Sequence, residues 1–368
     1  MRGKSVASFV FAILCIPILS PVVVGEWGTD TWLDSVISSE RLDNGDEFGC
    51  HGYEGVDTVQ ELWVIPACKE YLQSQTNSSK WGVAPISFGI RESVIDSETG
   101  DMLIESGFRI VGDMVEEAPN GISIAKRNGA SLEKGASDID TIDSADPDTL
   151  VSIHWRARVG DLRVREDKDA IAWLEDQPIW FTTWGEWHHH RDSGASITSV
   201  ANGTTVTVTH SNNIDSESWK VPGSVKIELD TPVISVSDAD GDLFPILASD
   251  DRKLSEGWRQ AKGGIILTKH PERDVILELE NSTEDIVTTP ILTFNDLNYS
   301  VTIVGHYTSN LFRWTQDFSE SHLTFTWLVE RPTDETVGWK LPLFAIALLI
   351  AIPISIVYLV RNDQASRI

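Results

Sequence analysis

Apolar and polar side chains alternate through most of this chain, and that alternation is the period of a half-buried strand. Between Gly82 and Val115 it predicts strands at Ile86–Ile90, Arg91–Ile95 and Met102–Val111, with a turn at Glu98–Asp101. It returns at Leu150–Val164 and in an aromatic run, Ile179–His190. Ser196–Ala201 and Thr204–His210 then flank Asn202-Gly203, a pair that accepts the positive φ angles of a tight hairpin turn. Further strands are expected at Ser224–Asp230, Val233–Ser237, Ile265–Lys269, Asp274–Glu280, Ile286–Phe294, Tyr299–Tyr307 and Leu323–Val329.

Helical spacing is scarcer. Asp57 is placed to cap a helix running towards Leu72, with Pro66 breaking it midway. Asp167–Leu174 is a short candidate, and Ser249 is expected to cap Asp250–Lys262, closed by Gly263-Gly264. Many short strands and few helices predict a mainly β fold, a sandwich or barrel with one or two short helices.

Both ends break this pattern. Leu341–Val360 is an uncharged apolar run of the length that spans a hydrocarbon core of about 30 Å. Trp339 and Lys340 precede it and Arg361 follows it, residues suited to the two membrane–water interfaces. A single transmembrane helix is therefore expected at 341–360, kinked at Pro353, with a cytoplasmic tail at 361–368. Residues 1–25 read as a signal peptide cut after Val23-Val24-Gly25, or as an uncleaved signal anchor. Between them the pattern suggests an external domain in two parts, 26–130 and 150–330. A Ser/Asp/Gly-rich link at 131–149 joins them, and a short stalk follows at 331–340.

Composition narrows the function class. Asp and Glu number 56 against 29 Lys and Arg, a formal net charge of −27. So acidic a surface disfavours nucleic acid and anionic headgroups and suits cations, basic ligands or a salty medium. Outside the leader only Cys50 and Cys68 remain, which predicts one disulfide in an oxidising compartment. Asn77, Asn202, Asn281 and Asn298 head glycosylation sequons, usable only where the host glycosylates outside the cell.

Two stretches carry candidate chemistry. If Trp184–Asp192 is a strand, Glu186, His188 and His190 share one face and offer two imidazoles and a carboxylate to zinc, with surface histidines as the plainer alternative. Asp238, Asp240 and Asp242 form an acidic turn able to offer oxygens to calcium. It departs from an EF-hand, since Gly241 is fourth in the loop and Ser249 twelfth. No G-x-S-x-G, H-E-x-x-H, C-x-x-C, Walker or G-x-G-x-x-G motif occurs. The expectation is a single-pass membrane protein whose external domain binds a protein or glycan partner or joins an envelope assembly. The alternative is a membrane-tethered, metal-dependent hydrolase using His188 and His190.

Overall fold

A computed structural model describes residues 39–53, 55–125, 127–131, 149–155, 175–211, 219–306, 323–331, 349–354 and 356–357. Asp30–Arg331 make one compact unit, and the ends Met1–Thr29 and Pro332–Ile368 group as a second. The fold is mainly β with few helices, as the alternation predicts.

Nine strands form one sheet, and every pair in it is parallel. They are β1 (Glu47–Tyr53), β2 (Ser87–Ile90), β3 (Ile110–Asp113), β4 (Ser123–Ala125), β5 (Arg127–Ser131), β6 (Leu150–Trp155), β7 (Ile179–Phe181), β16 (Tyr299–His306) and β17 (Phe325–Arg331). The ladder runs β4-β3-β2-β1-β17-β16-β6-β5, with β7 paired to β16. Its two ends, β4 and β5, are one residue apart in the chain, so the sheet closes on itself. Carrying the paired registers from Ile110 once round the ring returns to about position 102, a stagger of about eight residues. Parallel barrels with tilted strands have that stagger. The object is a parallel barrel whose wall is completed by β4 and β5 acting as one strand.

Parallel neighbours need crossovers, and the crossovers supply the helices. Helix α2 (Val64–Gln75) joins β1 to β2 and α3 (Ser97–Glu105) joins β2 to β3; α1 (Ser39–Asn44) precedes β1. Pro66 does not break α2. It sits in the first turn, where its missing N–H costs nothing. The strand expected over Met102–Val111 is instead the end of α3 followed by β3, because Asp96 caps α3 by accepting from the Thr99 N–H.

Between α4 (Trp184–Ala195) and β16 the chain builds a second core. Strands β12 (Gly257–Ala261), β13 (Gly264–Lys269), β10 (Gly223–Glu228) and β15 (Val287–Pro290) form one antiparallel sheet. Strands β11 (Val233–Asp238), β14 (Val275–Leu279), β9 (Thr205–His210) and β8 (Ile197–Asn202) form the other. Val206, Val208, Val225, Ile227, Ile265, Leu267, Val275 and Leu277 meet in their shared, fully buried core. A hairpin forms here with its turn one residue further on than expected: Asn202 pairs with Thr205, so Gly203 and Thr204 are the central residues, and of these Gly203 takes a positive φ, +66°. The helix expected at Asp250–Lys262 is absent. Trp258 packs on the sandwich core and Gly263-Gly264 serve a strand-to-strand turn, so tertiary contacts make that segment β12.

The expected span at 341–360 falls mostly outside the described residues. Leu349–Ile354 and Ile356–Val357 are helical, with their apolar side chains exposed. Among the described residues no helix is long and apolar enough to cross a membrane. The leader 1–25, most of the 131–149 link and the 167–174 helix also lie outside them.

Candidate functional site

The start of α4 fills part of the barrel interior. Strand β7 leads through Thr182 into α4, whose first residue, Trp184, is fully buried with the interior residues Ile110, Ala125, Val304 and Leu328. Its indole N–H donates to Ser152 Oγ at 3.1 Å and its backbone N–H to Thr326 Oγ1 at 3.1 Å. A side chain at Gly112 would collide with the same indole, so glycine there makes room for it. Glu47 accepts from the Gly185 N–H at 2.8 Å and from the Ser87 hydroxyl at 2.5 Å, tying this helix start to β1 and β2.

The carboxyl-terminal mouth is different. In parallel sheets this is where successive strand ends deliver side chains to one place. His51 comes from β1, Arg91 from the residue after β2, Asp113 from the last position of β3 and Glu330 from β17. His51 Nε2 lies 3.0 Å from Asp113 Oδ2, and its Nδ1 lies 4.0 Å from Glu330 Oε1. Arg91 pairs with Glu330 through Nη2. His51, Asp113 and Glu330 are buried, while Arg91 is about half exposed at 47%. Gly89 has no side chain where His51 and Leu328 cross it, and a Cβ there would meet both. Asp113 holds φ +75°, a left-handed backbone that costs an ordinary residue about 1–2 kcal/mol.

A cleft of about 180 Å³ opens beside this cluster, lined by His51, Asp57, Thr58, Gly89, Arg91 and Glu92 among others. The Glu92 carboxyl is raised above its ordinary value by partial burial first and then by the neighbouring charge of Asp57. Asp57 Oδ1 accepts from the N–H groups of Val59 and Gln60, which fixes that carboxylate on the loop between β1 and α2. The Cys50–Cys68 disulfide expected from the sequence is formed. It joins β1 to α2 across the base of the same loop, one residue from His51. Arranged in this way, an imidazole flanked by two carboxylates can hold and pass a proton, and the guanidinium and the rim carboxylates can orient polar groups.

The residues singled out from the sequence lie elsewhere. The aromatic strand expected to reach His190 ends at Phe181, and Thr183 starts a helix by capping the Glu186 N–H. On a helix, Glu186 and His190 share a face and His188 points away from it. Glu186 is buried, accepting from the Trp81 indole at 2.6 Å and the Thr182 hydroxyl at 3.0 Å; burial raises its carboxyl above the ordinary value. His190 Nδ1 meets the Pro222 carbonyl at 2.7 Å, so it donates there, and burial lowers the imidazole to about 4. His188 lies 3.3 Å from Ser123 Oγ and 3.9 Å from Asp192. Three ligands expected on one face are thus divided by the helical period. Among the described residues no group of three or more His, Cys, Asp or Glu side chains is arranged to hold a metal ion.

The acidic turn is closed by its own side chain, Asp238 Oδ1 accepting from the N–H groups of Asp240 and Asp242. Asn77, Asn202, Asn281 and Asn298 are all exposed. Sequence reasoning missed the mouth because its four residues are scattered over 280 positions. The local sign was Gly49-Cys50-His51-Gly52, a strand ending in close-packed glycines.

Compared with known proteins, the chain matches no family model, no curated protein and no solved structure.

Proposed function

We propose that the chain is a single-pass membrane-anchored surface protein whose external barrel binds a small polar ligand at its carboxyl-terminal mouth. The observation that carries this reading is the cluster of His51, Arg91, Asp113 and Glu330 beside one cleft that His51 and Arg91 line, with backbone strain stored at Asp113. Burying ionisable groups is costly, and strained backbone persists where surrounding structure is retained for a purpose other than stability. The surface location is supported by the apolar run at 341–360, the leader at 1–25, the disulfide and the four exposed sequons. The contact between His51 and Asp113 also favours an enzymatic version of the reading, in which His51 exchanges a proton with the bound ligand.

The test uses the full chain in nanodiscs and a thermal-shift panel of uncharged, cationic and anionic small metabolites. At least one compound is expected to raise the midpoint of the wild type and not that of Arg91→Ala. A panel without any shift, or with shifts equal in the variant, overturns the cleft as the binding site. Resistance to alkaline carbonate extraction checks the anchor.

A further inference from the structure

Resting on that reading of the cleft, we infer that its ligand is an uncharged sugar unit of a glycan. The inner polar groups of the mouth already have partners, the Arg91 guanidinium with the Glu330 carboxylate and the His51 imidazole with the Asp113 carboxyl group at 3.0 Å. An anionic ligand would have to draw Arg91 away from Glu330 and leave that buried carboxylate without its partner, which is strongly unfavourable. Hydroxyl groups need no such separation. They add to the remaining donors and lone pairs of groups that stay paired, and each hydroxyl can both give and accept.

The rim points the same way. Asp57 and Glu92 set two carboxylates beside each other, which repels anions, and they stand next to the Arg91 guanidinium and the Thr58 hydroxyl. A planar carboxylate and a planar guanidinium each engage two neighbouring hydroxyls, the spacing a pyranose ring presents. At about 180 Å³ the cleft is well below the 300–1,000 Å³ typical of drug-sized pockets and suits a single ring. The loop that lines it is bracketed by Tyr53 and Trp63, whose rings lie 5.4 Å apart, with Trp63 48% exposed. An exposed aromatic ring on the loop that supplies Asp57 and Thr58 can offer the apolar face of a sugar a surface that water otherwise covers.

The experiment is saturation-transfer NMR on the full chain in nanodiscs, which avoids sugar-headed detergents. The neutral probes are methyl α-glucopyranoside, methyl β-galactopyranoside and methyl N-acetyl-β-glucosaminide, with glucosamine and glucuronate as cationic and anionic counterparts. At least one neutral glycoside is expected to bind, about tenfold or more weakly in Arg91→Met and Glu92→Gln, and more weakly in Trp63→Ala. Trp63 lies at the surface, so its variant keeps the test valid if an inner variant fails to fold. Binding of glucosamine or glucuronate alone would overturn the sugar assignment and leave the cleft reading standing. Neutral binding that no variant weakens would place the sugar elsewhere and overturn the assignment. Silence from all five probes also overturns it, and the wider thermal-shift panel then decides whether the cleft binds anything.

Discussion

Replacing Trp184 by alanine tests the barrel most directly, because this one large side chain is packed into its interior. The indole is fully buried, hydrogen-bonded to Ser152, and packed where Gly112 leaves space. Deleting a buried large aromatic costs about 3–5 kcal/mol, and losing the indole's hydrogen bond to Ser152 adds about 1 kcal/mol. A loss of about 4–6 kcal/mol is a large share of the 5–15 kcal/mol that holds a typical domain together. Trp184→Phe keeps most of the ring and loses the hydrogen bond, for about 1–2 kcal/mol. Gly112→Ala should cost about 1–3 kcal/mol by overpacking against the indole, and part of that cost should vanish in the Trp184→Ala background. Because barrel and sandwich have separate cores, urea unfolding is read by hydrogen exchange on peptides from β1 and β3, with β9 and β14 as the sandwich reference. A loss below about 1 kcal/mol in the barrel peptides for Trp184→Ala, or strictly additive costs for the pair, would refute the plugged barrel.

Three further outcomes are expected. His190 titrates near 4 when folded because burial opposes its charge, so its contribution to stability is present above the unfolded value of about 6.5 and is lost as pH falls from there towards 4. His190→Phe should therefore flatten the pH dependence over that window by up to about 1.4 kcal/mol per pH unit relative to wild type, measured by urea midpoints. An unchanged slope would show that His190 is not held neutral. Removing the Cys50–Cys68 bridge in a double Cys→Ala variant should cost about 3 kcal/mol for a loop of 18 residues and raise exchange at residues 55–63. Equal protection of that loop in both forms would show that the bridge does not hold the cleft wall. At the strained position, Asp113→Gly should be about 1 kcal/mol more stable than Asp113→Ala, since only the latter retains the positive-φ penalty, and both should lose ligand binding. Equal unfolding midpoints for the two variants would contradict the strain at Asp113.

Local chemistry in the sequence determined a good deal. Alternation located β13, β14, β16 and β17 nearly to the residue, Asn202-Gly203 placed a hairpin to within one residue of its turn, and two cysteines gave the disulfide. These features depend on neighbours within a few positions or on compartment, so one chain suffices to read them. Local reading failed where a distant core decides between periods. Trp184–Ala195 carries aromatic residues that suit a strand, yet Thr183 caps it as a helix and its first tryptophan enters the barrel. Trp258 pulls an apparent helix into the sandwich in the same way. Parallel pairing was invisible because it is set by which strands meet across the closed ring, whose last two, β4 and β5, are neighbours in the chain. The mouth followed from that closure. His51, Arg91, Asp113 and Glu330 form no pattern along the chain, and only the tertiary structure brings them together, since parallel strands of a barrel all present their carboxyl ends on one side.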